Sequence, residues 1–162
     1  MPTATYTPLA NVTLGSTASG VTFSSIPATY RDLILVVNAS SSIQTELFLR
    51  FNSDTGSNYN TVRMQGSGSV AASASTSNAT GARLNGNGDI MTTLSFNAVI
   101  QLLDYSATDK HKAALSRTSS AGGVDACAVR WANTNAVSTV LAYPASGTFS
   151  SGSTFNLFGV IF

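Results

Sequence analysis

The 162-residue sequence predicts an all-β fold, an antiparallel β-sandwich of the jelly-roll type formed by a single domain. Apolar and polar side chains alternate over short segments, as they do in strands with one buried face. These segments follow one another about every 10–15 residues and are joined by turns rich in Gly, Ser and Asn. No segment keeps the helical spacing of apolar residues over about 12 positions between capping residues.

The first half of the chain contains a polar start and four predicted strands. Residues 1–10 contain two prolines and are expected to form an extended N-terminal arm, followed by a sandwich domain over residues 11–162. Residues 52–58 tolerate positive φ and predict a hairpin loop between the third and fourth strands. The four predicted strands are residues 21–26, 32–38, 45–52 and 61–65.

Residues 66–88 are almost entirely Ser, Ala, Gly, Asn and Thr. A segment with so few large side chains cannot offset its ordering entropy by burial. We therefore expect a long surface loop, or a segment that becomes ordered only against a partner.

Strand patterns resume after this segment and continue to the end of the chain. Residues 125–131 alternate with Cys127, Val129 and Trp131 on one face. Residues 155–162 place the predicted last strand at the C-terminus. The predicted strands of the second half are residues 90–96, 98–105, 111–117, 125–131, 137–143 and 155–162.

Charge is scarce, with 8 Lys or Arg and 7 Asp or Glu. The charged fraction of 9% is far below the average of about 25%. A net charge of +1 offers no electrostatic attraction to nucleic acid or to an anionic membrane. No apolar run approaches the length of a membrane-spanning helix, and the N-terminus lacks the basic and apolar parts of a secretory signal. We expect no nucleic-acid or membrane partner and synthesis in a cytoplasm.

The residues that usually carry catalysis are few. His111 is the single histidine and lies between Lys110 and Lys112, so an exposed strand end is the expected role. Asp32 and Asp104 are the aspartates with the least ordinary positions, and we interpret Asp32 beside Arg31 as a solvated strand end. These residues predict no enzyme.

Metal and thiol chemistry are similarly poor. Residues 52–60 alternate oxygen donors, but Arg63 stands where a calcium loop requires a bidentate Glu. One Cys and one His are too few for a zinc site. The single Cys127 excludes an intrachain disulfide, and its strand pattern predicts a buried side chain. We expect no cofactor and no metal.

Three segments carry apolar residues on both faces of a strand. They are residues 33–37, 99–103 and 155–162. A monomeric sandwich keeps one face of each sheet polar, so the surplus indicates contacts with other subunits. The alternative is that these are simply central strands.

Three segments also resemble a known class of proteins. Residues 21–37 (VTFSSIPATYRDLILVV), 49–59 (LRFNSDTGSNY) and 146–160 (SGTFSSGSTFNLFGV) are similar to stretches of small virion structural proteins of tailed bacteriophages, notably phages of cyanobacteria. The 66–88 segment is unmatched.

The resemblance implies a homotrimeric capsid decoration (cement) protein on the head surface, made in the bacterial host cytoplasm. Each copy would bridge neighbouring major capsid proteins. The alternative is a module of a tail fibre or baseplate that binds host surface polysaccharide. A third class, a glycan-cleaving tailspike, would require a groove with converging carboxylates such as Asp32 and Asp104.

The expected partner-binding residues fall into two groups. The arm or the 66–88 segment is expected to face the capsid, and deletion of residues 2–10 is expected to weaken attachment while leaving the fold intact. Aromatic residues of the second half are expected either at the trimer interface or in the core. The arm residues are Thr3, Tyr6, Pro8 and Leu9, and the aromatic residues are Trp131, Tyr143 and Phe149.

Overall fold

The computed structural model describes residues 5–86 and 91–161. Within these ranges the chain forms twelve strands in two antiparallel sheets and no helix, which confirms the predicted all-β sandwich. The strands are β1 (Tyr6–Thr13), β2 (Val21–Phe23), β3 (Asp32–Ala39), β4 (Leu47–Phe51), β5 (Tyr59–Gly66), β6 (Ala71–Ala79), β7 (Ala82–Arg83), β8 (Phe96–Leu103), β9 (Lys112–Ser120), β10 (Gly123–Trp131), β11 (Val140–Pro144) and β12 (Thr154–Val160).

Eight of the strands have jelly-roll wiring. They form nested antiparallel pairs, in which β1 pairs with β12, β2 with β11, β3 with β8 and β4 with β7. The smaller sheet has the order β2-β11-β4-β7, and the larger sheet begins with β1-β12-β3-β8. Two four-stranded sheets of this kind are the jelly-roll architecture.

Two inserted hairpins widen the larger sheet. The β5–β6 hairpin interrupts the chain between β4 and β7, and the β9–β10 hairpin interrupts it between β8 and β11. Both join the same sheet, which continues β8-β9-β10-β5-β6. We call these four added strands the extension. Because the larger sheet has eight strands and the smaller has four, part of the larger sheet has no strand opposite it.

The core lies between the two sheets and is rich in aromatic side chains. Trp131, Phe51 and Tyr59 form one cluster, with ring centroids 5.6 to 6.3 Å apart. The rings of Phe149 and Phe155 pack edge to face at 4.9 Å. All five side chains are fully buried. Burial of such rings is the main source of stability in a sandwich without disulfides.

The predicted N-terminal arm is wrong for residues 6–10. These residues form the first part of β1, which pairs with β12 along the edge of the larger sheet. Leu9, Ala10 and Val12 pack against the core, so this segment with many polar residues is a strand with one partly buried face. Deletion of residues 2–10 would remove half of an edge strand. Thr3 lies outside the described residues.

The prediction of a long loop over residues 66–88 is also wrong for residues 66–86, and residues 87 and 88 lie outside the described residues. Residues 71–79 form β6, which pairs with β5, and residues 82–83 form β7, which pairs with β4. Backbone hydrogen bonds need no large side chain, so a segment of Ala, Ser and Thr can add to an existing edge. Conversely, in the strand predicted at residues 90–96, residues 91–95 make only an isolated bridge between Met91 and Thr45, Phe96 begins β8, and residue 90 lies outside the described residues.

The segment of residues 52–58 is not a hairpin loop. β4 belongs to the smaller sheet and β5 to the larger, so this segment carries the chain from one sheet to the other. Asn52 and Ser53 do have the predicted positive φ, at 50° and 57°. Local composition therefore predicts the turn, whereas the pairing of the flanking strands is decided by the rest of the fold.

Candidate interaction surface

Strand β5 has its polarity reversed relative to an ordinary sandwich strand. Thr61 is buried and faces inward, and Arg63 on the same face pairs with the buried Cys127 of β10. Val62 and Met64 face outward and are exposed. Side chains alternate between the two faces of a strand, so beyond the buried Tyr59 the large apolar side chains of β5 lie in solvent.

The neighbouring strands β9 and β10 follow the same rule. On β9, Ser116 and Thr118 are buried while Leu115 is exposed. On β10, Asp125 is buried while Val124 is exposed. Three adjacent strands of the extension thus direct polar side chains inward and apolar side chains outward at this end of the sheet.

The inward polar groups lie against residues 84–86 rather than against an apolar sheet. The Ser116 hydroxyl and the Cys127 thiol both donate hydrogen bonds to the Leu84 carbonyl oxygen, at 3.0 and 3.1 Å. The Gly86 amide donates to Asp125 Oδ2. Among the described residues, Asp125 Oδ1 has no hydrogen-bond partner. A covering made of backbone carbonyl and amide groups explains why the inner face is polar.

The outward side chains form an apolar surface that we call the apolar face. Their exposed fractions range from 42% to 64%. Isolated exposed apolar residues are common on proteins, whereas a contiguous group indicates an interaction site. The apolar face consists of Tyr6, Val62, Met64, Val99, Leu115 and Val124.

Two adjoining depressions show that the apolar face is curved. One, of about 560 Å³, is lined from Tyr6 of β1 to Val62 of β5. In a flat sheet these strands, with five others between them, would lie roughly 29 Å apart at the usual strand spacing. The second depression, of about 690 Å³, shares Met64, Val99 and Arg117 with the first. The apolar face is therefore a shallow concave surface. The Arg117 guanidinium, which lines both depressions, adds a positive charge to it.

The seven predicted partner-binding residues are not brought together. Tyr6 lies on the apolar face, Pro8 is exposed on β1, and Leu9 is half-buried. Trp131 and Phe149 are buried in the core, so their side chains are not available to a partner and the core alternative holds for them.

Tyr143 lies elsewhere, on the outer side of the smaller sheet. The Arg50 guanidinium is 4.7 Å from the centre of its ring and donates a hydrogen bond of 3.1 Å to its hydroxyl. The Phe48 ring packs 5.7 Å away. Burial raises the pKa of Tyr143, against the opposing effect of Arg50. Tyr143 is half-buried within the chain's own contacts.

The residues considered for catalysis have local structural partners. His111 is exposed, and its Nδ1 lies 2.8 Å from Arg130 Nη2. Asp32 is buried, which makes its interpretation as a solvated strand end wrong. Its carboxylate accepts hydrogen bonds from the Asp104 amide at 3.0 Å and from Gln101 Nε2 at 3.1 Å. Asp32 thus holds the turn after β8 against the start of β3.

The described part of the chain has neither a metal-binding cluster nor a helix that could span a membrane. Residues 5–86 and 91–161 contain no group of three or more His, Cys, Asp or Glu placed to hold a metal ion. Over the same ranges, no helix has the length and apolar character needed to cross a bilayer.

Sequence reasoning missed most of the apolar face. It identified the apolar surplus at Val99 and named Tyr6, but not Val62, Met64 or Leu115. Alternation along these strands was visible, yet alternation alone does not say which face is buried. No local signal points to the answer, because the inward faces contain Arg63 and Lys112, and charged residues ordinarily mark the side of a strand that faces solvent.

Comparison with known proteins assigns this chain to no family. No family model matches the chain, and no curated protein matches it. Among solved structures it is similar to the galectin LEC-6 of Caenorhabditis elegans, with 8% identity and a TM-score of 0.40. The match covers 94% of this chain and 96% of that one. A similarity of this size supports no inference about function.

Proposed function

We propose that this chain is a structural protein of a tailed-bacteriophage virion: a homotrimeric, non-enzymatic decoration protein that binds the major capsid protein on the head surface. The observation that supports assembly as its role is the reversed polarity of β9, β10 and β5. The three segments similar to virion proteins support the choice of a virion. The apolar face is the proposed contact surface.

Exposure of the apolar face leaves free energy of burial unused in the isolated chain. Full burial of a Val, Leu or Met side chain stabilises by about 1.5–3 kcal/mol relative to exposure. The extension leaves four of these side chains largely exposed, so the folded chain alone does not gain their free energy of burial. They are Val62, Met64, Leu115 and Val124. A partner that covers the concave face recovers it. Because few charges are involved, the contact is expected to tolerate salt.

A trimer multiplies such contacts. Three copies present three identical surfaces, and after the first has bound, the others bind at high effective concentration. Modest contacts then hold a shell against internal pressure, and no chemical step is required. The role is mechanical.

Two charged substitutions on the apolar face test this proposal. Val62→Lys together with Met64→Lys is expected to leave the fold intact, because both side chains are already exposed. It is expected to reduce a trimer of 16.7-kDa chains to monomers, or to abolish binding to heads. The matched control is Ser24→Lys with Ser57→Lys, at exposed positions away from the face. Light scattering after size exclusion reports mass, and circular dichroism reports folding.

Gold-labelled antibodies on intact virions test the location. Label over the head supports the decoration protein, and absence of label from the virion contradicts the proposal. Label at the tail instead supports the fibre or baseplate module. Sugar sites combine aromatic surfaces with several convergent polar groups. The 560 Å³ depression contains Tyr6, Gln101 and Arg117 among mostly apolar residues, which favours a protein partner.

A further inference from the structure

The two edges of the larger sheet differ in how they are protected. Strand β1 forms one edge and contains Pro8, which has no amide hydrogen, and a register shift between Pro8 and Ala10. Proline, bulges and short length are the devices by which proteins prevent edge-to-edge pairing. The edges of the smaller sheet, β2 and β7, have only three and two residues.

The opposite edge of the larger sheet has none of these devices over six residues. The free edge, which we define as Ala71–Thr76 of β6, keeps a regular register with β5. It contains no proline and no charged residue, and most of its side chains are exposed. Such an edge presents a row of backbone donors and acceptors to any strand that can align with them.

Little besides backbone pairing holds the free edge in place. Its Ala, Ser and Thr side chains bury little apolar surface, so they offset little of the entropy lost when the backbone is fixed. Within the described part of the chain, its one sheet neighbour is β5. A second strand would satisfy the remaining backbone groups and place the free edge inside a sheet.

We propose that the free edge pairs antiparallel with the free edge of a second copy, which joins two eight-stranded sheets into one. A twofold axis brings identical strands together in antiparallel order, so each donor meets an acceptor. The segment is uncharged, hence self-pairing places no like charges opposite each other. Small side chains face small side chains, and six residues on each side make about six hydrogen bonds between chains.

This contact is independent of the proposed function. It rests on a strand edge, not on the apolar face, and its symmetry is twofold. If the chain is a trimer, the free edge links one trimer to the next. If the chain is otherwise monomeric, the free edge gives a dimer. The outward side chains of Ser73 and Ser75 lie beside Met64 and Val62, so pairing makes the apolar faces of two copies continuous.

Cysteine cross-linking tests the pairing directly. Single cysteines are placed in turn at the five positions Ala72 to Thr76 in the full chain and mildly oxidised. Directly opposed residues of antiparallel strands are about 4.5–5.5 Å apart, within reach of a disulfide. We expect one position, at the twofold axis, to give at least about tenfold more linked dimer than a Ser57→Cys control, because pairing raises the local concentration. The native Cys127 stays in place because it is buried.

A charge variant gives the second readout. Ala72→Lys, at an exposed position on the side of β6 away from Met64 and Val62, supplies the protection that natural edge strands use and is expected to weaken self-association by about threefold or more, with Ser57→Lys as control. Sedimentation measures association and circular dichroism checks folding. Cross-linking that is equal at all positions and at Ser57→Cys overturns the proposal. Absence of self-association in the folded wild type overturns it too, as does pairing of β6 only with a strand of another protein.

Discussion

The indole nitrogen of Trp131 donates a hydrogen bond of 2.7 Å to Asp54 Oδ2. Trp131 ends β10 in the larger sheet, and Asp54 lies in the segment that carries the chain from β4 to β5. The same carboxylate accepts hydrogen bonds of 2.8 Å from Asn58 Nδ2 and from the Gly56 amide. Asp54 therefore fixes the path by which the chain enters the extension.

Asp54→Asn is expected to lower the free energy of unfolding by about 1–3 kcal/mol. An amide has one oxygen and one NH2 group, so one of the three donors would face another donor. The measurement is urea denaturation followed by Trp131 fluorescence. Asp109→Asn is the matched control, because Asp109 is exposed, and a change within about 0.5 kcal/mol is expected there. Equal losses in the two variants would contradict this role of Asp54.

Asp54 also predicts how stability depends on pH. Burial raises the pKa of its carboxyl, but the hydrogen bonds from Trp131, Asn58 and Gly56 outweigh burial and hold the pKa below its usual value. A carboxyl with a lower pKa in the folded state stabilises above its unfolded pKa of about 3.9, and this stabilisation is lost as pH falls through the folded pKa. The wild type is expected to lose stability below about pH 4 more steeply than Asp54→Asn. Parallel stability curves would show that Asp54 does not contribute.

The strand pattern and the jelly-roll class could be predicted from the sequence, since both follow from alternation and turn spacing. The interaction surface could not be predicted, because the local sequence of β5 favours burial of Val62 and Met64 and exposure of Arg63. Val62 and Met64 lie outside only because residues 84–86 cover the opposite face of the extension. That covering is a tertiary contact between segments far apart in sequence.

Two further differences between the predicted and the observed structure also arise from contacts between distant segments. Asp32 looks like a solvated strand end beside Arg31, yet its carboxylate is enclosed by Gln101 of β8 and by the Asp104 amide just after β8. Residues 71–79 look like a loop, yet β5 offers them an unpaired edge. In both cases a distant strand supplies backbone or side-chain hydrogen bonds that local composition does not show.

Cys127 is expected to react slowly with thiol reagents in the native protein. Burial raises the pKa of its thiol to about 11, and the thiolate is the reactive form. At pH 8, an aromatic disulfide that releases a coloured product when it reacts with a thiol should label the chain only after urea unfolds it. A Ser57→Cys variant has a second, exposed thiol. In the native variant the thiol at position 57 should react fast and the Cys127 thiol slowly. Fast labelling of native Cys127 would contradict its burial.

Gly159→Ala is expected to destabilise the fold by about 1–3 kcal/mol through overpacking. Gly159 lies on β12, and a Cβ at this position would overlap the Tyr30 ring. The Tyr30 ring packs against the core, so it cannot move away freely.

A double-mutant cycle separates this overlap from a general cost of changing β12. Tyr30→Ala alone removes core packing, but in the Gly159→Ala background it also removes the overlap. We therefore expect Tyr30→Ala to cost at least about 0.5 kcal/mol less in that background than in the wild type, as coupling of contacting residues requires. Urea denaturation of the four proteins measures the difference. Strict additivity would mean that Gly159 is needed for a reason other than the close approach of Tyr30.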